Sequence, residues 1–450
     1  PILNGFLFGL VLMGLSHLWF FEVKEWASLL QLFILWVVYS VYLANFWGLF
    51  ALLYQYLGTK PWTIPFLWVS IEWIRSLGPI GNTAAILGSS QAYNLPILQL
   101  ASLGGAHLIS FFCVCINVLI YTIVSAIKKQ HYRHGLLLSA LLVLVSATAF
   151  FYGKIKIQEE KNQENYTVSI IQANHNQHKK LDRTQYPSLR QDYLDLIKKE
   201  LINTPKTELI ILPETITPDL NLSQVEFMSE LTRLKKSTAT FFLFGTPSKG
   251  KSPTTFYNSV ALVLNDQFLL YHKTKLMPFG EYWPLKPLFK ILNLESLIPL
   301  TEYTADKTAK LLTLNPSVKI GNAICLEAAY SKILSQHTRS GATLLCVLAN
   351  NAWFFDSSAA ERLFKLSILR AVENNRYLIQ SANTGISGTI SNTGQVINQS
   401  HLQTQATLTG RVKLINKHSL YIRYGNWIIW ISILGLLLLQ ASRKFSHKAS

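Results

Sequence analysis

Charge is scarce in this sequence. Only 14% of its 450 residues are charged, while 50% are hydrophobic and 12% aromatic. Soluble domains usually carry about a quarter charged residues, so the deficit excludes an ordinary soluble domain and points to a membrane protein. Acidic residues are scarcer than basic ones, 24 against 41, which leaves a net charge of +17. No basic stripe interleaves with aromatics, so no nucleic-acid partner is expected. Basic loops flanking membrane helices account for the surplus through anionic lipid and the positive-inside rule. Cysteine is rare too: four residues exclude a disulfide framework. Cys113 and Cys115 lie in an apolar run, which leaves Cys325 and Cys346 for chemistry. No histidine or cysteine cluster has metal-ligand spacing, and His131 and His134 read as loop charge. The first residue is Pro1, with no charged segment or cleavage site, so no signal peptide is expected.

What is present falls into two compositions. Residues 1–153 are strongly apolar, residues 154–425 are mixed, and residues 426–450 are an apolar run with a basic tail. The expected organisation is a membrane bundle of about five helices, a central domain of mixed composition, and a final membrane helix. Six passages are read: Pro1–Phe20, one within Leu29–Leu57, a shorter one near Thr63–Ile74, Gly104–Ile127, Leu136–Tyr152 and Asn426–Gln440. The loop Lys128–His134 and the tail Arg443–Lys448 are basic and separated by an even number of crossings. They share a side, the cytoplasmic one, so the central domain is expected to face outward.

The central domain alternates short apolar strands with segments of helical spacing, which argues for an α/β fold. Strands are expected at Val168–Gln172, Leu209–Leu212, Phe241–Gly245, Tyr257–Leu264, Phe268–Tyr271, Lys319–Cys325, Leu344–Leu348, Ile379–Asn383 and Gly388–Ile397, the last with a turn at Asn392-Thr393-Gly394. Helices are expected at Tyr186–Ile202, Ser223–Lys236, from near Ala328, and at Ala359–Arg376. Gly245–Ser252 fits the phosphate-loop pattern letter for letter, but Pro253 follows where that motif needs a helix. It reads as a polar surface turn.

Three segments put ionisable residues directly after apolar strands or in Pro/Gly-rich turns: Leu212-Pro213-Glu214, Tyr271-His272-Lys273 running on to Pro278-Phe279-Gly280-Glu281, and Ala323-Ile324-Cys325-Leu326-Glu327. Reactive groups of α/β sheets gather at such strand ends. Each residue has a bland alternative: Cys325 as a core cysteine like Cys346, Glu214 as a helix N-terminal carboxylate, Lys273 or Lys275 as solvated charge.

In this order and at about these separations, the three segments resemble the Glu-Lys-Cys signatures of the nitrilase superfamily. With apolar helices on both sides, the chain is similar to that superfamily's membrane branch, the apolipoprotein N-acyltransferases. Glu72-Trp73-Ile74-Arg75, Gly88–Gln91, Asn350–Phe354, Arg370–Glu373 and Gly425-Asn426-Trp427 agree with it. The resemblance implies a four-layer αββα sandwich inserted in a polytopic helical bundle. It also implies that the family's first two membrane helices precede Pro1. The chain differs from the family's usual residues at Leu181, Leu326 and Phe355, all expected to line the substrate route.

The resemblance also implies roles. Cys325 is the expected nucleophile, Glu214 the general base, and Lys273 the stabiliser of the oxyanion, chosen over Lys275 for its spacing to Glu281. Glu281, Glu327, Asn350 and Trp353 are expected in support, although packing explains Trp353 equally well. The apolar, aromatic run after Glu281, with Tyr282, Trp283, Leu285 and Phe289, is expected to be a mobile arm contacting lipid. The implied reaction is ping-pong and needs no cofactor or metal. A phospholipid acylates Cys325, and the α-amino group of a diacylated apolipoprotein takes the acyl chain. The implied setting is the bacterial inner membrane, with the chain as a monomer and its catalytic domain on the periplasmic side. Two rival readings share the fold: a membrane-anchored amidase and a non-catalytic scaffold.

Overall fold

The computed structural model describes residues 1–25, 27–57, 60–78, 81–83, 85–159, 165–216, 223–252, 254–264, 267–278, 280–283, 286, 291, 302–354 and 357–446, with only the backbone of 159, 223–225 and 442–446. The chain divides into two compact units. One comprises Pro1–Lys161 and Ser419–Ser450, the other Asn162–His418.

The first unit is helical because long apolar runs satisfy their backbone hydrogen bonds internally only as helices. Among the described residues, three helices are long and apolar enough to cross a membrane: Leu29–Tyr56, Ala101–Lys128 and Tyr132–Gln158. At 1.5 Å per residue each reaches about 40 Å, beyond the roughly 30 Å of hydrocarbon. The other three expected passages form shorter helices, Ile2–Ser16, Ile64–Arg75 and one from Trp427. Ser28 opens the helix Leu29–Tyr56 with a reciprocal cap, its hydroxyl accepting from the Gln31 N–H while the Gln31 side chain accepts from the Ser28 N–H. The helix Ala101–Lys128 bends at Gly104-Gly105. Gly105 has φ +72°, and a Cβ there would lie 2.6 Å from the Tyr421 ring.

The described residues of the second unit form twelve strands in two six-stranded sheets. In chain order they are β1 (Tyr166–Gln172), β2 (Leu209–Ile211), β3 (Phe241–Lys249), β4 (Phe256–Leu264), β5 (Gln267–His272), β6 (Leu312–Thr313), β7 (Lys319–Ile324), β8 (Leu344–Ala349), β9 (Leu378–Ala382), β10 (Gly388–Ile390), β11 (Val396–Gln399) and β12 (Ala406–Val412). The first sheet runs β12-β1-β2-β3-β4-β5 and the second β11-β10-β9-β8-β7-β6. Each has three parallel strands (β1-β2-β3 and β7-β8-β9) with antiparallel neighbours outside them.

Alternation assigns the faces. Val168, Ile170, Leu209, Ile211, Leu243 and Val260 of the first sheet meet Ile320, Ile324, Leu344, Cys346, Leu348 and Ile379 of the second in one core. Each such side chain contributes roughly 1.5–3 kcal/mol by leaving water. Cys346 is thus a core residue. The opposite face of the first sheet, with Ile210, Leu212, Phe242 and Phe244, is covered by Tyr193 and Ile197 of the helix Tyr186–Asn203 and by Phe227 and Leu231 of the helix Ser223–Thr238. Helices Ser331–Arg339 and Ser358–Asn374 pack on the second sheet. The result is the four-layer αββα sandwich.

Two local readings need correction, the start of the helix after Cys325 and the closing strand of the domain. The helix expected from near Ala328 begins at Ser331, because a 3₁₀ turn, Cys325–Ala329, comes first. The turn expected at Asn392-Thr393-Gly394 divides β10 from β11: the Ser391 N–H donates to the Gln395 carbonyl and Gly394 takes φ +83°. The domain is closed by β12, which the sequence reading overlooked. Its residues Ala406–Val412 are mostly small and polar and carry little apolar alternation. Long-range pairing with β1 makes the strand.

Candidate active site

Glu214 stands two residues past Leu212, in a turn after β2. The following Thr215 takes φ +55°, and Gly245 on β3 passes so close that a Cβ there would lie 2.5 Å from the Glu214 Cα. The first glycine of the phosphate-loop look-alike therefore makes room for this turn. The rest of that motif continues as β3 to Lys249, without a helix. Lys273 directly follows β5, and Cys325 directly follows β7.

The Glu214 carboxylate is buried and held from two sides. Its Oε1 accepts from the Asn258 side-chain amide at 2.7 Å, and its Oε2 accepts from the Asn350 backbone N–H at 2.8 Å. Lys273 Nζ lies 4.0 Å from Glu214 Oε1 and 2.9 Å from Glu281. Glu281 also accepts from Asn258 Nδ2 at 2.8 Å and from the Met277 N–H at 2.7 Å. Lys273 is buried, and burial alone would lower its pKa. Glu281 and Glu214 outweigh that and raise it, so the ammonium stays charged. Lys275 lies instead over the Tyr330 ring, 5.1 Å from its centroid, which separates the two lysines that spacing alone left open.

Burial raises the Glu214 pKa, with Glu281 adding to the rise and Lys273 opposing it. A carboxyl shifted this way is a better proton acceptor near neutral pH than an exposed one. Burial likewise pushes the Cys325 thiol up to about 12, reinforced by Glu214 and opposed by Lys273. A thiol held up in this way carries little thiolate at neutral pH, so it would need a partner to take its proton before it could act as a nucleophile. Cys325 also has φ +52°. A non-glycine residue there costs about 1–3 kcal/mol and is found where surrounding structure enforces it.

Glu327 supplies that enforcement. It is fully buried two residues after Cys325. Its Oε1 accepts from the Thr274 N–H at 2.7 Å, the Thr274 hydroxyl at 2.8 Å and the Lys275 N–H at 3.0 Å. Its Oε2 accepts from the Tyr271 hydroxyl and the Ile324 N–H, both at 2.8 Å. One carboxylate thus ties the turn bearing Cys325 to the segment bearing Lys273. Asn350 belongs to a second network: its Nδ2 donates to Gln177 Oε1 at 3.0 Å and its Oδ1 accepts from Asn383 Nδ2 at 3.1 Å. Asn383 in turn exchanges hydrogen bonds with the His175 backbone.

Six of the expected site residues are accounted for here: Glu214, Lys273 and Glu281 share one cluster, Cys325 and Glu327 share one turn, and Asn350 touches Glu214. Trp353 ends a 3₁₀ turn and is 38% exposed. Tyr282 is half-buried and bridges to Pro278, and the Trp283 backbone N–H donates to Glu302 Oε1 at 3.0 Å. Leu285, Phe289 and most of the expected lipid-contacting arm lie outside the described residues, as does Phe355. Leu181 is 52% exposed at the end of the short helix Gln177–Leu181. Sequence reasoning missed Asn258, Gln177 and Asn383. The last two carry no local signal. Asn258 carried one, a lone amide among the apolar residues of β4.

The chain is similar to known proteins over most of its length. The carbon-nitrogen hydrolase family matches residues 167–416, and the apolipoprotein N-acyltransferase N-terminal domain matches residues 2–119. An apolipoprotein N-acyltransferase of Geobacter metallireducens is 28% identical over 84% of this chain and 73% of its own length. That of Haemophilus influenzae is 27% identical over 91% and 79%. Among solved structures, a carbon-nitrogen hydrolase from Helicobacter pylori aligns with a TM-score of 0.44 at 14% identity, covering 58% of this chain and 94% of that one.

Proposed function

This chain belongs to the carbon-nitrogen hydrolase family, and we propose that it is an apolipoprotein N-acyltransferase of that family, carrying acyl chains on Cys325 from phospholipid to the amino terminus of lipoproteins. The observation that carries the reading is the buried Glu214–Lys273–Glu281 cluster in a chain that also has three helices apolar enough to span a membrane. Soluble amides would need no such helices, whereas a phospholipid donor and a lipid-anchored acceptor both reside in the membrane.

In the first half-reaction the Cys325 sulfur attacks an ester carbonyl of the phospholipid. A C–S bond forms, and the thiol proton passes to Glu214. The charge on the carbonyl oxygen is met by the Lys273 ammonium, with a backbone N–H beside Cys325. The ester C–O bond then breaks, and the proton on Glu214 goes to the departing lysophospholipid alcohol. In the second half-reaction the neutral α-amine of a diacylated apolipoprotein attacks the thioester. A C–N bond forms, the amine proton passes to Glu214, the C–S bond breaks, and the proton returns to the sulfur. Atoms and charge balance without an added cofactor. Glu281 keeps Lys273 charged and Glu327 holds the nucleophile's turn.

The setting we infer is a bacterial inner membrane, the Asn162–His418 unit on its outer side. The basic loop Lys128–His134 and the basic tail after Ala441 support this side assignment through the positive-inside rule. Tyr282 and Trp283 follow Glu281 directly and suit a lipid-facing margin.

The test is an acyl-transfer assay in detergent with a phospholipid donor and a diacylated lipopeptide acceptor. Triacylated product from the wild type, absent with Cys325→Ala, is the expected result. Free fatty acid released independently of the acceptor would replace the transferase with a hydrolase. No acyl-enzyme with any donor would leave a scaffold.

A further inference from the structure

Asn258 sits on β4 with 4% of its surface exposed. Its one side-chain nitrogen donates to two different carboxylates, Glu214 Oε1 at 2.7 Å and Glu281 Oε1 at 2.8 Å. Both N–H bonds are thereby used, and its Oδ1 is buried with no hydrogen-bond partner among the described residues. The backbone fixes the residue independently, because the Asn258 carbonyl accepts from the Lys273 N–H at 2.8 Å. A buried amide left with an unsatisfied acceptor while serving two acids is not explained by packing. An apolar side chain of the same shape would leave nothing unsatisfied on Asn258 itself.

We propose that Asn258 is a positioning residue of the acylation step, its single amide nitrogen clamping the Glu214 and Glu281 carboxylates into one arrangement around Lys273. The inference rests on the reading of Glu214 as the base. Two carboxylates this close repel, and a shared neutral donor holds them side by side against the Lys273 ammonium. The groups facing Glu214 are Lys273 and Glu281 beyond β5, Cys325 beyond β7, Lys180, whose Nζ lies 3.4 Å from the Glu214 carbonyl oxygen, and Tyr303. None of them changes when Asn258 is replaced, so the direction of the effect is fixed. Without the amide, Glu214 loses a donor to its ionised form and takes up a proton at higher pH.

The experiment measures the rate of Cys325 alkylation by iodoacetamide against pH in the full-length detergent-solubilised protein, with labelling at Cys325 read by peptide mass spectrometry. This probe needs no lipid. The variants are Asn258→Leu, which keeps the shape and removes the donor, and Asn258→Asp, which keeps the shape and adds a carboxyl. In both, the acidic limb of the profile is expected to move up by at least one pH unit, so alkylation at pH 6 falls about 10-fold or more while the rate at high pH is largely kept. A uniform drop with an unmoved limb, in either folded variant, overturns the inference and leaves Asn258 structural. A wild-type profile without any acidic limb would sink the general-base reading of Glu214 instead.

Discussion

The two sheets of the Asn162–His418 unit are built alike, each with three parallel strands flanked by antiparallel ones, yet they carry different halves of the site. The first sheet delivers charge: Glu214 after β2, Lys273 after β5, and Asn258 on β4 between them. The second delivers the proposed nucleophile, Cys325 after β7, on a backbone turn at φ +52°, with Asn350 after β8. The charged half is rigid because its groups bond to one another. The nucleophile's half is rigid because Glu327 ties its turn across to Thr274 and Lys275. Both halves use turns at strand ends with left-handed backbone, Thr215 at φ +55° beside Glu214 and Cys325 itself at φ +52°. The division teaches that the site exists only when the sheets are stacked.

Changes that break the charged half should have the largest effect. Lys273→Met removes the cation between two buried carboxylates, and acyl-enzyme formation should fall about 10²–10³-fold. Glu214 should then protonate at higher pH, because Lys273 is the group that opposes its upward shift. A pH–rate profile of acylation checks both. Breaking the tie between the sheets comes next. Glu327→Gln puts an amide N–H where five donors now converge. We expect a loss of about 2–4 kcal/mol, read as a lowered urea midpoint of the isolated transition of this unit, and slower Cys325 alkylation as its turn relaxes.

A subtler break uses Gly245→Ala. The new Cβ would press on the Glu214 Cα, and a misplacement on the order of 1 Å should cost roughly 10–100-fold in activity. Thermal unfolding should change far less than activity. The smallest effect concerns neither half of the site. Burial pushes His175 and His337 down to about 4 from an ordinary 6.5. Between these values the unfolded chain binds more protons than the folded one. Stability therefore rises with pH from about 4 to 6.5 and is lost as pH falls through that window. His337→Phe should flatten part of that slope in denaturant titrations.

Much of this was legible in the sequence, for physical reasons. Glu214, Lys273 and Cys325 each follow a short apolar strand, and strand ends are where α/β sheets present reactive groups. The apolar runs read directly as helices. What was illegible depended on pairing across the chain. β12 is polar enough to pass for a loop until it lies beside β1. Asn258 stands out as an amide in an apolar strand, but its partners Glu214 and Glu281 are set only by the fold, the latter 2.8 Å away. The 3₁₀ turn at Cys325 was hidden because Glu327, which stabilises it, also fits a helix's first turn.

The most direct test of the central claim is to incubate the detergent-solubilised protein with phospholipid alone and weigh its cysteine-containing peptides. The account predicts one acyl chain on the Cys325 peptide, with Cys113, Cys115 and Cys346 unmodified, and discharge of that chain on adding a diacylated lipopeptide amine. An acyl chain on another residue, or turnover to N-acylated product with Cys325→Ala, would contradict it.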